Sequence, residues 1–228
     1  MIKTRNNHED ITYLNSYISK VLKRNFGKGP ATCFTSLTND KMFIYMKHFI
    51  TPAEEVLFKK NELHLAYKTR SVVFESIFDE IKDEIKKVLG IVFTSIQHDW
   101  DFYNNTGILL LEKDSTLNLN KFTLKCDQMY SEIQKICSEV HKLPDQINIV
   151  NATPSIYYIE YSGFKSRIEH VLYTKGYVDL LIDWSNEVKK TYRKNKRLFE
   201  TCLNASIEDI FTIMDYEHDR GTIIFYVK

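Results

Sequence analysis

No stretch of this 228-residue sequence stays apolar for the ~20 residues that span a bilayer, and the opening "MIKTRNNHED" lacks the apolar segment of a secretion signal. The expectation is a chain that is neither inserted in a membrane nor secreted, with a cytoplasmic location. An excess of positive charge is missing too: 16 basic residues face 15 acidic ones over 1–114, and 15 face 15 over 115–228. A nucleic-acid binder has to neutralise several phosphates, so nucleic acid is not an expected partner. Only the first thirty residues lean basic, with Lys3, Arg5, Lys20, Lys23, Arg24 and Lys28 against Glu9 and Asp10. Cysteines are few. Cys33, Cys126, Cys137 and Cys202 form no C-x-x-C pair, and each sits in an apolar pattern, as buried free thiols of a reducing compartment do.

What is present is a repeated order of elements. Glu9 and Asp10 favour the start of a helix, with Asn7 as a cap, and Ile11, Leu14, Ile18 and Val21 give it one apolar face. Gly27 to Pro30 ends it, and "ATCFTSL" and "KMFIYM" read as a hairpin turning at "TND". In "TPAEEVL", Thr51 is an N-cap, Pro52 the first helical residue, and Glu54 closes a capping box. Glycine and proline are absent from Asn61 to Leu89, where Phe74, Ile77, Ile81, Ile85 and Val88 recur at helical spacing, and Gly90 stops the helix. "IVFTSI" and "TGILLL" make a second hairpin, connected through "QHDWDFYNN".

The order recurs after Ser115. Phe122, Cys126, Met129, Ile133, Ile136 and Val140 form a helix stripe, "INIV" and "IYYIEY" a hairpin, and "SRIEHVL" repeats the capping box of "TPAEEVL" 115 positions later. A long helix over Gly176 to Leu203 and the strands "SIEDIFTIM" and "GTIIFYV" complete the second set. Self-similarity at a fixed period sets the expected architecture: an α+β fold of two tandem α-ββ-αα-ββ units, 1–114 and 115–228. Each unit is expected to form a mainly antiparallel four-stranded sheet with helices on one face. The two units are expected to pack as a pseudo-dimer.

Several of these elements match a known family. "RNFGKGP", "FITPAEEVL", Arg70 and Phe74 of the long helix, and "SIQHDWD" occur in the order and spacing of the MpsC-like family of small bacterial proteins, which residues 24–112 resemble. The resemblance implies a soluble component associated with a sodium-translocating, membrane-potential-generating system linked to bicarbonate uptake. It implies a membrane transport protein as partner, peripheral attachment through that partner without direct insertion, and no assigned catalytic residues or cofactor. The second unit keeps the element order but departs from the motifs. "HKLPD" stands in place of the Gly-Lys-Gly-Pro loop, and Ser185 or a neighbour in place of the long-helix arginine.

The candidate sites are two. In "RNFGKGP", Arg24 and Lys28 supply charge, and Gly27 and Gly29 let backbone amides approach an oxyanion or a partner. The full G-x-x-x-x-G-K-[ST] pattern is absent and the loop follows a helix instead of preceding one, so it is no nucleotide P-loop. A small anion is the alternative ligand, with Arg70 as a third cation. Arg70 falls within the apolar rhythm of its helix, and if buried it needs a carboxylate, for which Glu54 is placed. The second site is a weak metal candidate: His98, Asp99 and Asp101, with Asp215, Glu217, His218 and Asp219 at the corresponding end of the other unit. The alternative there is a polar turn in which aspartates cap backbone amides. No nucleophile accompanies these groups, enzymatic activity is left open, and self-association is a further partner class.

Overall fold

Local sequence chemistry accounts for where each element begins and ends. A computed structural model describes residues 7–113 and 126–228. It divides into two units, Met1–Leu117 and Asn118–Lys228. Lys3, Arg5, Ser115 and Phe122 lie outside the described residues.

In the first unit, α1 (Asn7–Phe26) leads into β1 (Thr32–Leu37) and β2 (Lys41–Lys47), which turn at Thr38 to Asp40. Asn7 is already helical, so the helix starts two residues earlier than its acidic first turn indicates. Two helices follow, α2 (Pro52–Lys59) and α3 (Leu63–Leu89), then β3 (Ser95–Asp101) and β4 (Thr106–Glu112). The sheet order is β1-β2-β4-β3, antiparallel throughout. Pleating sends Met42, Ile44 and Met46 of β2 and Leu109 and Leu111 of β4 to one face. There they meet Leu14 and Ile18 of α1 and Phe74, Ile77, Ile81 and Ile85 of α3.

The second unit repeats this plan. Helix α4 (Asp127–Val140), strands β5 (Gln146–Thr153) and β6 (Ile156–Ser162), and helix α5 (Arg167–Thr174) come first. Helices α6 (Val178–Lys194) and α7 (Lys196–Leu203) and strands β7 (Ile207–Asp215) and β8 (Arg220–Val227) complete it. The antiparallel order is β5-β6-β8-β7. The fold is therefore α+β, two four-stranded antiparallel sheets in two similar halves. Met129, Ile133 and Ile136 of α4, Leu181, Val188 and Tyr192 of α6, and Ile223 and Phe225 of β8 belong to this unit's core.

Three features correct the sequence reading. The third strand begins at Ser95 and runs through Asp101, so "QHDWD" is strand and only Phe102 to Asn105 turn the chain. The helix expected over Gly176 to Leu203 starts at Val178 and breaks at Asn195, whose side-chain amide donates to the Thr191 carbonyl and competes with the helical ladder. Cys126 stands just before α4 as its cap residue, outside the helix, and still packs against the core beside Met129.

Each sheet holds one glycine that is fixed by packing. Gly107 lies between Met46 of β2 and Trp100 of β3, and an added Cβ would run into the Trp100 ring. Gly221 lies between Tyr161 of β6 and Met214 of β7, and there the added Cβ would run into Tyr161. The flat ring and the methionine have exchanged sides. Each unit thus fills the same hollow over glycine with one aromatic side chain, and Tyr161 reaches across to the Met214 sulfur at 3.3 Å.

Candidate functional site

The capping box that starts α2 also builds the first unit's principal charged cluster. Thr51 accepts from the Glu54 amide, and the Glu54 carboxylate accepts from the Thr51 amide and hydroxyl, both at 2.8 Å. The rest of that carboxylate is turned inward to Arg70. Arg70 Nε and Nη2 each donate to a Glu54 oxygen at 2.6 Å, and Nη2 also reaches the Phe49 carbonyl at 3.3 Å. Arg70 is 2 % exposed and Glu54 6 %. A guanidinium enclosed so fully needs this two-pronged partner, because an unpaired buried charge is prohibitively costly. Burial lowers the Arg70 pKa from its usual value, and the Glu54 hydrogen bonds oppose that shift.

Aromatic faces complete the enclosure. The guanidinium carbon lies 4.3 Å from the Phe26 ring centre, 4.2 Å from Phe49 and 5.1 Å from Trp100. His98, two residues before Trp100 on the same face of β3, stacks on that indole at 5.2 Å and meets the edge of Phe74 at 5.6 Å. Its Nδ1 is enclosed without a hydrogen-bond partner, although the residue keeps a partly exposed edge. Burial, with the nearby Arg70 charge, lowers its pKa to about 4, so the ring is neutral at physiological pH.

The second unit solves the same problem with different residues. Ser166 and Glu169 form its capping box, and Glu169 is 4 % exposed. The position 115 after Arg70 is Ser185, which carries no charge. The partner comes instead from His141, 115 after Phe26, whose Nδ1 lies 2.6 Å from Glu169 Oε1. Phe164, the counterpart of Phe49, packs on the imidazole at 4.8 Å, with Tyr161 and Trp184 each at 6.4 Å. Burial alone would raise the Glu169 pKa, yet the His141 contact and the Ser166 hydrogen bonds hold it below the usual carboxylate value. Ser185 Oγ lies 3.2 Å from Thr212 Oγ1, and by strand register Thr212 takes the place of His98. Sequence reading passed over His141. The signal was the 115-residue offset: once Ser185 replaces the arginine, Glu169 lacks that partner, and the histidine at the Phe26 position takes its place.

The other predicted site residues are placed as follows. Arg24 pairs with Glu80 of α3. Lys28 donates to the Ile50 carbonyl at 2.7 Å, tying the loop to the residue before Thr51. Gly27 has a φ of +76°, a left-handed turn, and a Cβ on Gly29 would meet the Ser19 carbonyl. Arg24, Lys28 and Arg70 therefore each have a separate acceptor on the protein. Strand pleating places His98 and Asp99 on opposite faces of β3. Asp101 accepts from the Tyr103 and Asn104 amides at 3.0 and 3.1 Å, and Asp215 from the His218 amide at 3.0 Å. Among the described residues no group of three His, Cys, Asp or Glu is placed to hold a metal ion.

Residues 8–113 match the family model described as the Na+-translocating membrane potential-generating system, MpsC. The first unit belongs to that family. No curated protein and no solved structure matches the chain significantly. The motif elements that carry the resemblance converge in space. Phe26 and Lys28 come from the first element, Phe49, Thr51 and Glu54 from the second, Arg70 and Phe74 from the third, and His98 and Trp100 from the last. All of them enclose or adjoin the buried Arg70–Glu54 pair. In this MpsC unit the motifs fix the relation of α1, α2, α3 and β3 to one another. Among the described residues no helix is long and apolar enough to cross a membrane.

Proposed function

We propose that this protein is a non-enzymatic cytosolic accessory or regulatory component of a membrane cation-translocating system linked to bicarbonate uptake. It acts by protein–protein contact with a membrane transport protein. The observation that carries this reading is the MpsC match over residues 8–113. The geometry supports it, because the motif side chains are engaged with one another and what they deliver is a rigid shape. The second unit, on this reading, is a divergent copy of the first, with the partner of its buried glutamate relocated. The test is crosslinking and recovery of tagged protein from native membranes and cytosol. A membrane transport protein is expected among the recovered partners, in smaller amount for Arg24→Ala with Lys28→Ala. Recovery without any membrane protein would overturn the reading. The alternative is a small-anion or nucleotide sensor using the Gly-Lys-Gly-Pro loop. It would be favoured instead if phosphate, bicarbonate or a nucleotide raised the melting temperature, since a ligand that binds the native state stabilises it.

A further inference from the structure

Two of the four cysteines stand together in the second unit. Cys126 holds the cap position before α4, and Cys202 lies in the last turn of α7, which is in contact with α4. Both pack against the same core. The two thiols share a hydrogen bond, and the amide of Met129, in the first turn of α4, donates to the Cys202 sulfur. Cys126 makes no side-chain cap bond to that turn, so Cys202 supplies from a distant part of the chain a contact that a cap residue usually makes.

The other two cysteines are placed differently. Cys137 is fully buried with its sulfur 3.7 Å from the Tyr192 hydroxyl, and Cys33 belongs to β1 of the first unit. Cys126 and Cys202 are both only half-buried, which leaves the pair near solvent.

We propose that Cys126 and Cys202 form a reversible, peroxide-driven disulfide that clamps the start of α4 to the end of α7. Hydrogen peroxide oxidises the Cys126 thiol to a sulfenic acid, and one water is released. The Cys202 sulfur then attacks that sulfur: the S–S bond forms, the S–O bond breaks and a second water leaves. Two electrons pass from the thiols to the peroxide, and a dithiol reductant returns them. Burial raises the Cys202 pKa, and its bond to Cys126 adds to the shift. Cys202 is therefore slow to meet peroxide itself and takes the resolving role. In a reducing compartment such a pair rests as free thiols and bridges only under oxidant. The bridge closes a loop that holds β5, β6, α5 and α6, so it restrains most of the unit outside its last hairpin. The inference is independent of the partner protein proposed above.

The test is brief exposure of the reduced full chain to hydrogen peroxide, followed by alkylation and peptide mass mapping. A linked Cys126–Cys202 peptide pair is expected, about 2 Da lighter than its two reduced halves together, and dithiothreitol should reverse it. Cys33 and Cys137 should remain free for alkylation once the chain is unfolded. The bridged form should melt about 10 °C higher than the reduced one. Cys202→Ser should leave a sulfenic acid on Cys126 that dimedone traps, whereas Cys126→Ser should take up little dimedone. Unmodified thiols at both positions, a link to another cysteine or to a second chain, or a bridged form no more stable than the reduced one would overturn the proposal. Dimedone on Cys202 of Cys126→Ser, with none on Cys126 of Cys202→Ser, would overturn the assigned roles.

Discussion

Arg70 and Glu54 illustrate how one residue type forces another. A bidentate pair enclosed by three aromatic rings is stable only while both partners are present. Arg70→Met should therefore cost about 3–5 kcal/mol in urea denaturation, and Arg70→Met with Glu54→Gln distinctly less than the sum of the two single changes. His98 offers a pH signature. Its folded pKa of about 4 lies below the ordinary imidazole value of about 6.5, so between these limits the unfolded chain binds the extra proton. Stability is then full above about pH 6.5 and falls with pH toward 4, by about 3 kcal/mol for this group. His98→Phe should flatten that part of the stability profile. If the slope between pH 6.5 and 4 is unchanged in the variant, the ring is not held neutral by burial. Arg70 and its partner Glu54 were legible in the sequence, because a cation inside an apolar stripe has to be answered. The His141–Glu169 pair was not, since a histidine in a loop carries no periodic signal and gains its role only when Glu169 folds against it.

At the scale of elements, the capping boxes and the glycine under an aromatic ring hold the helices and sheet to a fixed geometry. Ser166→Ala should cost about 1 kcal/mol, the usual loss of an N-cap. Gly107→Ala should cost more, about 1–3 kcal/mol from overpacking, and should shift Trp100 fluorescence because the indole has to move. Gly221→Ala should act on Tyr161 in the same way and leave Trp100 unaltered. Both capping boxes and the Gly90 stop were readable from local residue types, as they depend on contacts within one turn. The third strand was misplaced because "QHDWD" is polar in composition. It is a strand because its alternate residues His98 and Trp100 reach inward to Arg70 and Phe74. The break at Asn195 was equally hidden, since an asparagine within a charged run shows no preference until α7 turns to bury Phe199 and Leu203.

For the molecule as a whole, the two units answer acid with different groups. In the first the paired cation is an arginine that stays charged, and the sensitive group is His98. In the second the sensitive group is Glu169, whose depressed pKa contributes stability present above the ordinary carboxylate range and lost as pH falls through its folded value. The two tryptophans, Trp100 and Trp184, report one unit each. Acid titration of Trp184→Phe should then show the first unit weakening through the His98 window, and Trp100→Phe should show the second weakening only at lower pH. Coincident transitions would mean that the two units respond together. The element order, the repeat, both capping boxes and the MpsC likeness of the first unit were determined by the sequence alone. Each is written in local spacing or in residues that neighbour one another along the chain. Tertiary structure alone decided that the four motif elements meet at the Arg70–Glu54 pair, and that the partner of the buried glutamate moves from α3 to the end of α4 in the second unit. These depend on contacts between residues far apart in sequence, which residue type and periodicity leave open.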